Sequence, residues 1–215
     1  MALRLAVSGI GKSYNGNDVL KDCSFAFKEH SVYILTGPNG CGKSTFLRIC
    51  ALIEQPDKGE ISYFSDGNLL SADLWLRRRL TLVLPKVGVF NTSVSKNVAY
   101  GLAIRGVRGR ESEERVDKAL EFVRLGHKKR QSALTLSSGE TKRLGIARAL
   151  VIEPEFLFLD EPTASIDQKN TGIIENLILQ MKKDNRTTVV MATHDREQAE
   201  RLADSIIAMK DGKFS

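Results

Sequence analysis

Apolar residues alternate with polar ones, or form short uninterrupted runs, in several segments that we interpret as strands. The run EFLFLD is typical of a buried strand. The segment SIIAMKDGKFS is expected to enter a hairpin at Asp211 and Gly212, because Asp-Gly favours tight turns. The other predicted strands are LRLAVSGIGKSY, SVYILTG, GEISYF, LTLVL and TTVVMATHD.

Helical spacing of apolar residues marks the segments that lie between these strands. CGKSTFLRICALI follows a glycine-rich turn, and from about Val94 to Leu150 the periodicity is helical, with few strand candidates. NTGIIENLILQMKKD and REQAERLAD are helical near the carboxyl end. Alternating strands and helices predict an α/β fold with a mostly parallel sheet, whose ligands lie outside the carboxyl ends of the strands. The helical stretch is then an insertion into this core.

Composition narrows the class of protein without identifying it. The chain has 215 residues, 42% of them hydrophobic, and a formal net charge of +6, which suits a ligand that carries phosphate or an anionic surface. Its three cysteines have no metal-type spacing, and no apolar run is long enough for a membrane span. The basic clusters RRR and HKKR lack interleaved aromatic residues, so we interpret them as solvated faces and expect no direct nucleic-acid binding. No signal peptide is evident, and a cytoplasmic location is expected.

The segment GPNGCGKS, residues 37–44, fits the phosphate-loop pattern G-x-x-x-x-G-K-[ST]. It follows a predicted strand and opens a predicted helix, which is the context that the pattern requires. Glycines let successive backbone N–H groups point at phosphate oxygens, and the helix N-terminus adds a positive potential. We expect Lys43 to reach the β- and γ-phosphates and the Ser44 hydroxyl to bind Mg²⁺. The alternative is a chance glycine turn.

Polar side chains end two of the predicted strands. Asp160 and Glu161 follow the run FLFL, and buried adjacent acids are costly unless a ligand uses them. Asp160 is suited to orient the water shell of a metal, and Glu161 to polarise an attacking water. His194 ends the strand VVMAT, which would run parallel to the strand of Asp160, so its imidazole could face the γ-phosphate. The alternatives are a capping pair of acids and a structural histidine.

Two further features bear on a nucleotide. Ser137 and Glu140 have the spacing of a capping box at the start of a helix, and the SSG at its tip looks like a second anion cradle. Tyr14 follows the first strand, where its ring could stack on a nucleobase or serve as a turn aromatic. A second anion cradle is unexplained by one chain alone.

In this order and spacing, GPNGCGKST, LSSGE, FLFLDEPTASID and ATHD resemble the nucleotide-binding domain of the ATP-binding cassette (ABC) family. The resemblance covers nearly the whole chain. It implies a single domain, residues 1–215, with a P-loop NTPase core (1–85 and 153–215) of mostly parallel sheet. A small N-terminal antiparallel β subdomain and a helical subdomain (86–152) with the signature motif complete the expected α/β fold.

The resemblance also implies Mg²⁺-dependent ATP hydrolysis. It assigns Glu161, His194 and Lys43 to catalysis, and Ser44 and Asp160 to the metal. The residues that it implies for ATP binding are Tyr14, Gly37, Pro38, Asn39, Gly40, Cys41, Gly42, Lys43, Ser44 and Thr45.

The same resemblance accounts for the second anion cradle. ABC domains pair head to tail, and the signature of one chain closes the ATP site of the other. Ser137, Ser138, Gly139 and Glu140 match that signature, although Ser138 and Glu140 depart from the usual Gly and Gln. Glu140 completes the capping box, but its charge could weaken binding of the partner's ATP. Asp167 matches the D-loop, which links the two sites.

Pro85 is the largest departure from the family pattern, which carries a glutamine there. Proline offers no side-chain donor or acceptor and has no N–H. Either Lys86 or water substitutes, or Mg²⁺ binding is weaker; the other reading is that Asp160, Ser44 and the phosphates already hold the metal.

The resemblance implies the ATP-binding subunit of a transporter, peripheral on the cytoplasmic face of the membrane, with ATP, a permease and a second copy of the chain as partners. VFNTSVSKNVAYGLAIRG further resembles ATPase subunits of phosphate, molybdate or tungstate importers. The permease is expected to dock around residues 85–91 and the helical subdomain. The alternatives are a non-transport ABC ATPase, or a nucleotide-binding scaffold that hydrolyses weakly because of Pro85.

Overall fold

A computed structural model describes residues 3–215 of the chain, which form two compact units. The first unit contains the chain up to Leu82 together with Glu155–Glu161 and Leu179–Ser215. The second unit contains Val83–Pro154 and Pro162–Ile178. The second unit thus includes residues 162–178, which the sequence-based boundary kept with the core. Among the described residues, no helix combines the length and apolar character needed to cross a bilayer.

An antiparallel sheet occupies the amino-terminal part of the first unit. Its strands are ordered β2-β1-β4-β5, and Leu5 of β1 pairs with Phe27 of β2 and with Tyr63 of β4. The strands are β1 (Leu3–Tyr14), β2 (Asn17–Phe27), β4 (Lys58–Ser65) and β5 (Asn68–Leu69). This sheet confirms the predicted antiparallel β subdomain.

The larger sheet of the first unit is mostly parallel, with the strand order β10-β9-β3-β8-β7-β6. Its strands are β3 (Val32–Thr36), β6 (Leu80–Val83), β7 (Phe156–Asp160), β8 (Thr188–Thr193), β9 (Ser205–Lys210) and β10 (Lys213–Phe214). Strand β8 pairs in parallel with both β3 and β7, and β10 is antiparallel to β9. The predicted hairpin forms at Asp211 and Gly212, both of which have positive φ. The α/β fold class is therefore confirmed.

Burial explains why some strands are uninterrupted apolar runs while others alternate apolar and polar residues. Every residue of β7 and of β8 is buried, which accounts for their uninterrupted apolar runs. In β1 buried positions alternate with exposed or half-buried ones over Leu3–Val7, because one face of the strand packs on the core. The core joins both sheets to the helix α1 (Lys43–Cys50), of which Phe46, Leu47 and Ile49 are fully buried.

Helices dominate the second unit. They are α3 (Val94–Ile104), α4 (Gly109–Phe122) and α5 (Ser138–Leu150), with 3₁₀ turns at Gly126–Lys128 and Ala133–Thr135. The helix α6 (Gln168–Asp184) begins in this unit and ends in the first. The helices α2 (Leu74–Arg77) and α7 (Arg196–Leu202) belong to the first unit.

The sequence-based reading did not predict β2 or α2. The pairing of β2 with β1 shifts register three times, and Asp22 within β2 has a φ of 57°. Each shift breaks the alternation on which a strand is recognised, because an extra residue turns the following side chains to the other face. Helix α2 has only four residues, too few for an apolar period.

Candidate functional site

Parallel pairing brings the carboxyl ends of three strands to the same edge of the larger sheet. Thr36 at the end of β3 pairs with Thr193 of β8, and Asp160 at the end of β7 pairs with Ala192. The phosphate loop, which we define as residues 37–45, follows β3 directly. Glu161 follows β7 and His194 follows β8. The first unit thus gathers there side chains that lie far apart in the sequence.

The phosphate loop turns sharply into α1. Gly42 has a φ of 109°, and a Cβ on it would lie 2.8 Å from the carbonyl oxygen of Val19, so only glycine fits. The amine of Lys43 donates to the carbonyl oxygens of Gly37 at 2.7 Å and Pro38 at 3.1 Å, which draws the side chain across the loop. The Cys41 side chain belongs to the hydrophobic core. An anion in this loop would face backbone N–H groups, an ammonium and a helix N-terminus.

Ser44 and Asp160 contact each other although 116 residues separate them. The Ser44 hydroxyl donates to Oδ1 of Asp160 at 3.0 Å, and Asp160 is only 2% exposed. Burial raises the pKa of the Asp160 carboxyl, and the charge of Glu161 adds to the rise, while the hydrogen bond from Ser44 opposes it. A buried carboxylate next to a hydroxyl offers hard oxygen ligands, which Mg²⁺ prefers.

Glu161 lies between Lys43 and His194. Its Oε2 is 2.9 Å from Nδ1 of His194, and its Oε1 is 3.8 Å from the Lys43 amine. Its backbone N–H donates to the carbonyl oxygen of Ala192 at 3.1 Å. Glu161 has a φ of 48°, in the left-handed region that costs a non-glycine residue about 1–2 kcal/mol.

A cavity of about 180 Å³ opens over these residues, lined by Val19, Glu161 and residues of the phosphate loop. Of the motif residues, the lining includes Lys43, Ser44 and Thr45. A larger cavity of about 530 Å³ lies between β1, β2 and the start of β4, and no motif residue lines it. The smaller cavity therefore coincides with the predicted phosphate site.

Tyr14 ends β1, and its ring is partly exposed while its hydroxyl is engaged. The hydroxyl donates to Oε1 of Glu54, and the other carboxylate oxygen, Oε2, accepts from Arg48 Nε at 3.0 Å. Arg48 in turn donates to the Thr45 hydroxyl at 3.1 Å and lies 3.3 Å from the Tyr14 hydroxyl. Burial raises the pKa of Glu54, but the hydrogen bonds from Tyr14 and Arg48 outweigh it and the pKa is lowered. The aromatic ring is thus connected to the phosphate loop.

In the second unit, the signature segment (residues 137–140) forms the start of α5 as a complete capping box. The Ser137 hydroxyl accepts from the backbone N–H of Glu140 at 3.3 Å, and Oε2 of Glu140 accepts from the N–H of Ser137 at 3.0 Å. The other carboxylate oxygen of Glu140 is 2.7 Å from the amine of Lys128. The predicted helix start is therefore confirmed, and Glu140 has a cationic neighbour.

Gly139 and Asp167 are connected through Asn170. A Cβ on Gly139 would lie 2.2 Å from the Asn170 side chain, so α5 requires glycine there. The Asn170 amide donates to Oδ2 of Asp167 at 2.6 Å, and its oxygen accepts from Arg143 at 3.2 Å. Asp167 is thereby held near the start of α6.

Pro85 contributes through its carbonyl group. Its oxygen accepts from the amine of Lys142 in α5 at 2.6 Å. Lys86, which we considered as a substitute for the missing glutamine, is exposed. The loop that carries Pro85 is thus attached to the signature helix.

Sequence reasoning missed Arg48, Glu54, Lys128 and Lys142. Arg48 lies four residues after Ser44 on α1, and this helical spacing was an available signal for proximity to the site. Lys142 follows Glu140 by two residues, a spacing that does not predict a contact with Pro85. Lys128 lies in a basic cluster that we read as solvated. Only the tertiary structure reveals the partners of these side chains.

Comparison with known proteins matches residues 20–164 to the family model described as ABC transporter. The chain is similar to the phosphate import ATP-binding protein PstB 2 of Natronomonas pharaonis, with 38% identity over 97% of this chain and 78% of that protein. It is also similar to the tungstate uptake system ATP-binding protein TupC of Peptoclostridium acidaminophilum, with 36% identity over 98% of this chain and 96% of the relative.

Solved structures with a similar fold come from the same family of proteins. The fold matches cbiO1 of Clostridium perfringens, described as part of the ABC transporter complex cbiONQ, with a TM-score of 0.87 and 32% identity over 98% of this chain and 86% of that one. It also matches the ATP-binding cassette MJ0796, described as a dimer in a post-hydrolysis state with ADP and Pi. That match has a TM-score of 0.86 and 26% identity over 98% of this chain and 96% of the other.

Proposed function

Because the chain belongs to the ABC transporter family and is one of its ATPases, we propose that it hydrolyses Mg²⁺-bound ATP between two head-to-tail copies to drive import of an oxyanion. One observation carries the catalytic part of the proposal. Lys43, Ser44, Asp160, Glu161 and His194 converge at one sheet edge of the first unit.

Phosphate binding is assigned to the phosphate loop. Its N–H groups and the N-terminus of α1 would hold phosphate oxygens, and Lys43 would move from its carbonyl partners to the β- and γ-phosphates. Ser44 and Asp160 fit a magnesium ion, because their oxygens lie 3.0 Å apart and the carboxylate is buried. When bound, the ion neutralises negative charge on the phosphates. The Tyr14 ring would stack on the adenine base.

Hydrolysis is assigned to Glu161 and His194. Glu161 accepts a proton from the attacking water, and its contact with His194 at 2.9 Å orients the carboxylate. His194 and Lys43 stabilise charge on the γ-phosphate oxygens in the transition state. Most of the catalysis is then positioning and electrostatics, and the strained backbone at Glu161 serves that positioning.

The signature segment would complete the site of a second copy. Its capping box leaves the N-terminus of α5 ordered, and this positive end would meet the γ-phosphate held by the partner, with Ser137, Ser138 and Gly139 nearest to it. Asp167 would link the two sites. ATP then favours the closed dimer, because the nucleotide gains these contacts only there.

Transport requires a surface for a permease. Residues 85–91 and α3 carry exposed apolar side chains in the second unit, among them Phe90, Tyr100 and Ile104, and the exposed Leu84 directly precedes residues 85–91. The Phe90 and Tyr100 rings pack at 4.6 Å between centroids. Exposed aromatic clusters mark interaction sites, so we assign the permease contact here and place the protein on the cytoplasmic face of the membrane. The relatives named for phosphate and tungstate support an oxyanion as the solute.

One experiment tests these assignments together. The chain is purified with its native permease and solute-binding protein, and Mg²⁺-dependent phosphate release is measured with and without phosphate, molybdate and tungstate. We expect one of these oxyanions to stimulate hydrolysis, and Glu161→Gln to lower the rate at least about 100-fold while ATP binding persists. Glu200→Gln, an exposed acid paired with Arg196 on α7, is the matched control and keeps the rate.

Different outcomes separate the alternatives. Equal, slow hydrolysis by the unmodified chain and Glu161→Gln would support the nucleotide-binding scaffold, for which Pro85 is the motivating observation. Full hydrolysis without any association with a permease would support a non-transport ATPase.

A further inference from the structure

We propose that Lys128 is a positioning residue of the signature segment, where it offsets the negative charge that Glu140 brings close to the partner's nucleotide. The inference rests on the proposed function, in which the N-terminus of α5 meets the γ-phosphate of an ATP bound by a second copy. It concerns the residue that makes this chain's acidic signature compatible with an anionic ligand.

The contact between Lys128 and Glu140 is direct and partly shielded. The Lys128 amine is 2.7 Å from Oε1 of Glu140, and the side chains are 24% and 16% exposed. The backbone N–H of Lys128 donates to the carbonyl oxygen of Leu125 at 2.9 Å, in the 3₁₀ turn Gly126–Lys128. Because Oε2 of Glu140 is held by the N–H of Ser137, both carboxylate oxygens have fixed donors. The carboxylate is therefore held in place and cannot turn away from a ligand.

The charge of Glu140 has two opposing effects. At the N-terminus of a helix a carboxylate stabilises the helix, since it interacts favourably with the helix dipole and caps an N–H group. The same carboxylate repels a phosphate that approaches the same helix end. A neighbouring ammonium makes the pair neutral and leaves the partial positive charge of the backbone available to the phosphate. The pair thus keeps the capping box and removes its electrostatic cost.

Burial raises the pKa of Glu140, but the hydrogen bonds from Lys128 and Ser137 outweigh that effect and the pKa is lowered. Glu140 is therefore ionised at neutral pH. In the proposed closed dimer this carboxylate lies within about one Debye length of the partner's γ-phosphate, where salt of physiological strength screens it only in part, so a neighbouring cation is needed to offset it.

The adjacent residue, Lys129, provides a matched control. Its amine is 3.0 Å from both carboxylate oxygens of Asp117, on an exposed part of α4. Within the part of the chain that the structure describes, its amine makes no hydrogen bond or ion pair with the signature segment. Replacing either lysine with alanine removes the same charge from the same turn. Only Lys128→Ala removes the ammonium that contacts the Glu140 carboxylate directly.

The experiment measures ATP-driven dimerisation by analytical ultracentrifugation in a Glu161→Gln parent, which retains bound ATP. Lys128→Ala is expected to raise the dimer dissociation constant about tenfold, since a roughly threefold loss at each of two sites multiplies. Lys128→Arg and Lys129→Ala should stay within about twofold of the parent. The double variant Lys128→Ala with Glu140→Gln should stay within about twofold of Glu140→Gln alone, because no charge is then left to offset.

Three results decide the matter. The inference is overturned if Lys128→Ala dimerises like Lys129→Ala, or if the loss persists in the Glu140→Gln background. A parent that stays monomeric with ATP overturns the proposed function, and the inference with it. If Lys128→Ala does not fold, Lys128→Gln carries the same expectation. An unchanged melting temperature of the monomeric variant then shows that the loss of dimer affinity is electrostatic.

Discussion

At the scale of single residues, the Tyr14 hydroxyl donates to Glu54, while Arg48 connects Glu54 to the Thr45 hydroxyl of the phosphate loop. The amine of Lys12 lies 5.7 Å from the centroid of the Tyr14 ring. A ring held in this way loses little freedom when a base stacks on it, so the network preorganises the proposed adenine platform. Glu54 and Arg48 would then act on nucleotide affinity without touching the nucleotide.

Removing the hydroxyl of Tyr14 should weaken ATP binding and leave the chemical step intact. Tyr14→Phe keeps the ring but loses the bond to Glu54, and a hydrogen bond of about 1 kcal/mol corresponds to roughly a fivefold rise in KM for ATP, with kcat unchanged. Glu54→Ala should have a similar effect. The KM for ATP of the double variant should not exceed that of the single variant with the higher KM. Steady-state kinetics provide the measurement.

Inorganic tripolyphosphate is the control ligand for this prediction, because it has no base to stack. Its affinity, measured by competition with ATP, should be the same for all these variants. Additive effects of the two substitutions, or an equal loss of tripolyphosphate binding, would show that the network supports the fold and not the base.

At the scale of elements, two basic residues of α5 hold the loop that follows β6. Lys142 donates to the carbonyl oxygen of Pro85 at 2.6 Å, and Arg148 donates to that of Gly88 at 2.5 Å and lies 5.0 Å from the Phe90 ring centroid. Residues 142 and 148 are six apart, so their side chains leave the helix about 120° apart and the loop contacts α5 over two of its turns. The helix that begins with the signature segment is thus attached to the proposed permease surface, and the attachment uses backbone atoms that a proline still provides.

Lys142→Met should loosen this loop. The charged hydrogen bond to a carbonyl is worth about 1.5–3 kcal/mol when partly buried, so amides between Val87 and Phe90 should exchange at least about tenfold faster. Hydrogen–deuterium exchange with mass spectrometry measures this directly. Lys86→Met is the control from the same loop, because its exposed side chain should leave the exchange unchanged. Equal exchange in both variants would contradict the attachment.

At the scale of the whole molecule, the proposed site needs groups from two copies of the chain. The phosphate loop, Asp160, Glu161 and His194 come from the first unit of one copy, and the signature segment comes from the second unit of the other. A symmetric head-to-tail pair has two equivalent sites, so each copy is both a nucleotide holder and a closing partner.

Two inactive variants should therefore restore activity when mixed. Lys43→Ala removes the amine that binds the β- and γ-phosphates. The double substitution Ser137→Ala with Ser138→Ala removes the hydroxyls that contact the γ-phosphate held by the partner. In an equal mixture half of the dimers combine the two variants and contain one intact site, so about a quarter of the original hydrolysis rate should return. The readout is phosphate release at a concentration that saturates dimerisation. Activity that never exceeds that of the separate variants would argue that each copy works alone.

The features that the sequence determined are those whose parts are neighbours in the chain. The phosphate loop, the capping box of Ser137 and Glu140, and the Asp211-Gly212 hairpin each depend on residues within one turn, so local backbone preferences define them. The alternation of strands and helices also gave the α/β class, because apolar periods report which face of each element is buried. Strand β2 was not predicted from the sequence, because its register shifts interrupt the alternation of apolar and polar residues.

The tertiary structure decided which distant side chains meet. Ser44 contacts Asp160 across 116 residues because β3 and β7 flank β8 in parallel, and no local preference encodes that order. The pairs Tyr14 with Glu54, Lys128 with Glu140 and Lys142 with Pro85 depend likewise on packing between elements. Such contacts form only when the burial of apolar surface has fixed the backbone, because a single hydrogen bond is too weak to order the chain between its partners.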